Sequence, residues 1–188
     1  MIMIETKRLI LRPFTENDAV DLYEYLKEPS VNCFACMQLN SVEDAVSAAK
    51  KRAEDAEYYF AIVLKDSGKV IGEIFSHPEA SDPESNVKDT FSPCWMLNEN
   101  YGGKGYAYEA ATAFFDYLFN EKGARRIYAF TEDYNIRSQK LCERLGMRKE
   151  GMFIEFVSFI NNPDGTPLYE NTIQYAILKK EWLKYRQK

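Results

Sequence analysis

Apolar positions along the chain recur at a period of two in some stretches and of about four in others, and the switches mark its elements. RLILRPF (8–14) alternates and stops at Pro13, which predicts a first strand. TENDAVDLYEYLKE then turns helical. Thr15 is a candidate N-cap with Asp18 three residues on, and Ala19, Leu22, Tyr23 and Leu26 share one face. SVEDAVSAAKKRAEDAE opens in the same way, with Ser41 and Asp44, and predicts a second helix. YYFAIVL (58–64), the turn DSG and KVIGEIFS (69–76) read as a hairpin. HPEASDPESNVKD is a polar loop with two prolines, and FSPCWML (91–97) is a strand interrupted at Pro93.

A helix is expected from about 105 to 120, with Ala107, Ala110, Ala111, Phe114 and Leu118 as its apolar stripe. ARRIYAFT (124–131) is a strand. NIRSQKLCERLG (135–146) is a short helix with Asn135 as N-cap and Gly146 as its stop. FIEFVSFI, the turn NNPDG and PLYENTIQYAIL form a terminal hairpin, and a polar helix or tail begins at about 179. The order is β-α-α-β-β-β-α-β-α-β-β. With no repeat and no linker, it reads as one α+β domain over 1–188.

Composition narrows the class of function only a little. Aromatics at 14% and hydrophobics at 46% describe an ordinary folded chain. A net charge of −5 gives no global field for nucleic acid. No stretch approaches the roughly 20 apolar residues of a membrane span, and no leader pattern is visible, so a cytoplasmic location is expected. Cys33 and Cys36 have metal-like spacing, but Cys94, Cys142 and His77 lie in unrelated segments, so no metal site is expected.

YGGKGYAYEA (101–110) carries the chemistry. Glycines between a strand and a helix start make an anion site, because the first helical N–H groups lack partners and sit at the positive end of the dipole. A P-loop would need Ser or Thr where Gly105 follows Lys104, and a dinucleotide turn would need glycine where Tyr108 stands. A tight helix entry with no ligand remains as the plain reading.

The same stretch, preceded by CWMLNEN, resembles the acyl-CoA pyrophosphate loop of the GCN5-related N-acetyltransferases, [QR]-x-x-G-x-[GA]. Gly102, Gly105 and Ala107 stand at its first, fourth and sixth positions. IETKRLILRPFTENDAVDLYEYL resembles the opening strand and helix of the branch that acetylates ribosomal-protein N-termini. NIRSQKLCERLGMRKEG resembles the family's second cofactor motif. The resemblance covers about 4–151. It implies a mixed, mostly antiparallel sheet that splays beside the strand 91–97 and is flanked by helices. It implies acetyl-CoA as cosubstrate, with the pantetheine arm on the backbone of Leu97 and Asn98. The pyrophosphate would lie on the N–H groups of Gly103, Lys104, Gly105, Tyr106 and Ala107. Asn135 and Ser138 would face the thioester. Arg137 and Lys140 either meet the outer phosphate or form a solvated helix face.

The implied reaction is direct attack of a primary amine on the thioester in a ternary complex. The amine must lose a proton, the carbonyl oxygen becomes negative, and the thiolate needs a proton. Ser138 is the expected proton donor, with Tyr134 in reserve, because Cys142 stands where many relatives carry tyrosine. Ser92 occupies the place of the usual glutamate base, which leaves Glu73 ahead of Glu155. The acceptor is open between a protein or peptide N-terminus and a small amine such as an antibiotic or polyamine. A non-catalytic CoA-binding module, a nucleotide-binding protein and a homodimer also remain open.

Overall fold

A computed structural model describes residues 2–80 and 84–187. Its strands form two five-stranded sheets. The first joins β1 (Ile4–Glu5), β2 (Leu9–Arg12), β3 (Tyr59–Leu64), β4 (Val70–Phe75) and β7 (Cys94–Leu97), antiparallel throughout. The second runs β5 (Pro78–Glu79), β6 (Thr90–Phe91), β8 (Arg126–Glu132), β10 (Pro167–Leu178) and β9 (Arg148–Asn161), in that order. Only the β6–β8 pair is parallel.

The expected strand 91–97 is therefore two strands. Thr90 and Phe91 pair with β8, opposite Arg126 and Ile127. After Ser92 and Pro93 the chain crosses to the other sheet, where Cys94–Leu97 pairs with β4. Pro93 has no N–H for a ladder, so the break falls there. The two sheets separate at this point, and among the described residues β7 has no strand on its second edge.

Five helices cover the sheets. α3 (Tyr106–Asn120) sets Ala110, Ala111, Phe114, Phe115 and Leu118 against Leu9, Leu11, Phe60 and Ile62 of the first sheet and Ile127 and Ile173 of the second. α1 (Ala19–Leu26) and α2 (Val42–Ala53) pack Leu22, Leu26, Ala45 and Ala49 on the other face, against Ala61, Val63, Val70 and Met96. β3 is thus buried on both faces, which is why YFAIVL shows no polar alternation. α4 (Ile136–Arg144) joins the first core through Leu141 and Cys142.

Both expected caps form. Ser41 Oγ accepts from the Asp44 N–H at 3.0 Å. Asp18 accepts from the Thr15 N–H and takes both nitrogens of Arg12, each at 2.7 Å. The polar tail is a short helix, α5 (Lys179–Tyr185), anchored by buried Trp182, whose indole donates to Asp116 at 2.8 Å. β9 begins five residues before the expected hairpin strand. Its residues are mostly exposed, so RKEG carries no alternation that would announce a strand. β5 forms within the segment read as loop, and the DP of that loop lies outside the described residues.

Candidate active site

The glycine-rich turn is shaped by left-handed backbone. Gly103 has φ 74° and Gly105 has φ 81°, a region that L side chains rarely adopt. Gly105 is the N-cap of α3 and offers no side chain to the helix end. Among the described residues, the N–H groups from 103 to 108 meet no protein acceptor. A Cβ at Gly103 would find nothing within 4 Å, so the cradle is open on its outer side. A diphosphate matches this row of donors in charge and shape.

The turn is held from behind by residues that the sequence reading passed over. Glu109 accepts from Thr6 Oγ1, the Arg8 N–H and Arg8 Nε, each at 2.7 Å. Burial works against its charge, yet these bonds hold its carboxyl below the usual range. Arg8 also donates to the Lys104 carbonyl at 2.9 Å and lies 4.4 Å above the Tyr106 ring. Glu109 is thus turned away from the cradle toward the loop before β2.

Across the gap stands α4. Asn135 Oδ1 accepts from the Ser138 N–H at 3.1 Å, and its amide donates to Glu132 at 3.3 Å. Asn135 is therefore engaged as a helix cap. The Ser138 hydroxyl does not join that cap; it accepts from Trp95 Nε1 at 3.3 Å. This leaves its own proton available to a group in the gap. Cys142 is fully buried in the core, and burial pushes its thiol up to about 12, so it cannot act as a nucleophile. Arg137 and Lys140 are exposed, and Arg137 reaches Glu99 at 3.3 Å.

On β7 the backbone decides what faces the gap. The Asn98 N–H donates to Ile71 O at 2.8 Å, and its side chain is tied to Glu24 and the Asn100 N–H. The antiparallel register, with Met96 opposite Glu73, aims alternate residues at β4. Leu97 and Trp95 therefore turn their N–H and C=O groups to the open edge, and Asn98 does not.

The expected base, Glu73, is not available. Its carboxylate is fully buried and receives Tyr25 Oη at 3.1 Å, Tyr59 Oη at 3.0 Å and Arg52 at 2.9 and 3.3 Å. A carboxylate has about four lone-pair sites, and these donors fill them. Burial and the neighbouring negative charge of Glu73 drive the Tyr25 and Tyr59 hydroxyls far above their usual range, so both remain donors. Glu155 sits exposed at a bulge with φ 47°.

Two other carboxylates lie against the 3-10 turn Asn32–Met37. Glu132, at the end of β8, and Glu170, on β10, are both buried. Glu170 accepts from the Asn32 amide and from Tyr134 Oη at 3.3 Å. Burial, then a hydrogen bond to Glu132, raises the Cys33 thiol well above its usual range. Burial and the charges of Glu73 and Glu132 push Cys94 up to about 12. Cys33 and Cys94 are therefore neutral thiols beside charged groups.

A family model described as an acetyltransferase (GNAT) domain matches residues 8–148, a span that contains the cradle, the split strand and α4. The chain belongs to the GNAT acetyltransferase family. It is 33% identical over 179 residues to an uncharacterized N-acetyltransferase, YnaD, of Bacillus subtilis, covering 95% of this chain and 98% of that one. It is 23% identical to the ribosomal protein uS5-alanine N-acetyltransferase of Escherichia coli, covering 88% and 94%. A solved GNAT-family acetyltransferase from Bacillus anthracis superposes with a TM-score of 0.80 at 28% identity, covering 96% and 100%.

The GNAT fold accounts for the splayed sheet, and the protein is accordingly an acyltransferase of a family that uses acetyl-CoA. Of the expected residues, Gly103, Lys104, Gly105, Tyr106 and Ala107 form the open turn, Leu97 lies on the free edge of β7, and Ser138 meets Trp95 of that strand. The Asn98 N–H and the Asn135 side chain are engaged elsewhere, as described above, and Lys140 is exposed on α4. Glu170 is brought to Asn32 and Tyr134 only by tertiary packing, which no local spacing signals. Among the described residues no cluster of ligands could hold a metal ion, and no helix is long and apolar enough to cross a membrane.

Proposed function

We propose that this protein transfers an acetyl group from acetyl-CoA to a primary amine, with both bound at once. The observation that carries the reading is the open row of N–H donors from Gly103 to Tyr108 beside the unpaired edge of β7. Acetyl-CoA would supply the activated thioester. The turn would bind its diphosphate, and the Leu97 backbone would orient the arm. An N–H on that edge would stabilise the carbonyl oxygen as charge develops. Ser138 would give its hydroxyl proton to the departing sulfur. Glu132 and Glu170 would hold the acceptor's ammonium and take its proton, replacing Glu73 in that part.

Calorimetry with CoA and a thiol assay for CoA release over a panel of amines and peptides test this. Acetyl-CoA binding and amine-dependent release are expected, and Glu170→Gln should lower kcat by about a hundredfold. Binding without release over the whole panel would mark a CoA-binding module instead. A thermal shift with ATP or NAD and none with acetyl-CoA would refute the reading.

A further inference from the structure

The outer face of the second sheet carries an aromatic cluster that contributes nothing to either core. Phe130, Phe153 and Phe156 place their rings 5.0 to 6.2 Å apart, yet they are 43%, 38% and 53% exposed. Three phenylalanines in edge-on and tilted contact leave apolar surface in water that burial would remove, so the cluster calls for an occupant.

Its position indicates which one. Phe130 lies two residues before Glu132 on β8, hence on the same face at about 6 to 7 Å. Glu132, Thr172 and Phe153 form one row across three strands, which sets Phe153 at about 10 Å from Glu132. Glu132 heads this row and Glu170 lies two residues before Thr172 on the same face of β10, both more than nine-tenths buried. Among the described residues neither pairs with a cationic side chain. A buried carboxylate with no cation is costly unless a bound cation meets it. The face thus offers a seat for an ammonium followed, 7 to 10 Å on, by an apolar platform.

An extended chain advances about 3.3 Å per residue, which brings the side chains of its second to fourth residues over the rings. The three rings offer on the order of 300 Å². That is too little for a stable self-association face of about 800 Å² per partner, but sufficient for a short segment. The rings are also open to solvent, whereas a small-molecule pocket encloses most of its ligand.

We infer that the acceptor is a peptide N-terminus carrying a bulky apolar residue within its second to fourth positions, seated on Phe130, Phe153 and Phe156. This rests on the acetyltransferase reading above. The test uses hexapeptides with a fixed first residue and either phenylalanine or serine at positions two to four, assayed by CoA release. Phenylalanine peptides should be favoured about tenfold or more in kcat/KM, through KM. In the double variant Phe153→Ser, Phe156→Ser that ratio should fall toward one, with CoA binding reporting that the variant is folded. A ratio near one in the parent protein, or a ratio that survives the double variant, overturns the inference. So does a preference for phenylalkylamines over every peptide, which would move the acceptor to small amines. A double variant that changes from dimer to monomer in sedimentation while keeping its ratio would give the face to a second copy instead. Turnover without discrimination removes only this inference, whereas no CoA release with any amine removes the acetyltransferase reading along with it.

Discussion

Trp95 and Ser138 meet across the gap where the two sheets part, the indole N–H donating to the hydroxyl oxygen at 3.3 Å. One residue belongs to the last strand of the first sheet, and the other to the helix that follows β8 of the second. The contact leaves the serine as a donor and fixes where its proton can point.

Ser138→Ala should therefore lower kcat by about ten- to a hundredfold while changing the CoA dissociation constant less than twofold. Steady-state rates alongside calorimetry measure both. Undiminished turnover at saturating substrate would remove Ser138 from the reaction.

Gly105→Val should weaken CoA by tenfold or more. It places a branched side chain at φ 81°, costing about 1–2 kcal/mol in the folded state, and its Cβ would contact Arg8, which braces the loop. Folding is checked by circular dichroism and affinity by calorimetry. A folded variant with unaltered affinity would show that the diphosphate lies elsewhere.

Glu73→Gln should destabilise the protein by about 3–5 kcal/mol, because it leaves the Arg52 guanidinium buried without its counter-charge. At a temperature where the variant is folded, kcat should change only a few-fold. Chemical denaturation and steady-state kinetics separate the two effects. A hundredfold loss of kcat in a fully folded variant would restore Glu73 as the base.

Asp18 links acidity to stability. Burial disfavours its charge, but Arg12 and Thr15 outweigh this and hold its carboxyl below the usual range. A depressed folded value contributes stability above the unfolded value of about 3.9, and that contribution is lost as pH falls through the folded value. Asp18→Asn should thus cost more at pH 7 than at pH 3. Urea melts of both proteins over that range give the difference, and an equal cost at both ends would contradict the assignment.

Much of this was legible along the chain because it is local. Thr15 with Asp18, Ser41 with Asp44, and the alanine stripe of α3 are set by spacings of three and four residues, and each element formed near its expected place. The cradle was legible for the same reason. Glycines at 103 and 105 ahead of a helix start leave N–H groups open, whatever else the fold does. Only the start of β9, residues 148–152, was not legible, because a stretch with no buried face has no alternation to read.

What the gap does to particular side chains could not be read this way. Glu73 carries the same carboxylate as Glu132 and Glu170, and its sequence neighbours, Gly72 and Ile74, say nothing of Tyr25 and Arg52, which come 48 and 21 residues away to fill its lone pairs. Glu170 meets Asn32 from 138 residues away, and Glu132 lies on the strand that β10 pairs with, contacts made only when the chain closes on itself. The sequence by itself determined the elements and the open N–H row of the turn, since both follow from backbone conformation and near-neighbour spacing. The tertiary structure alone decided which carboxylates remain for chemistry, since that depends on which donors long-range packing brings to each one.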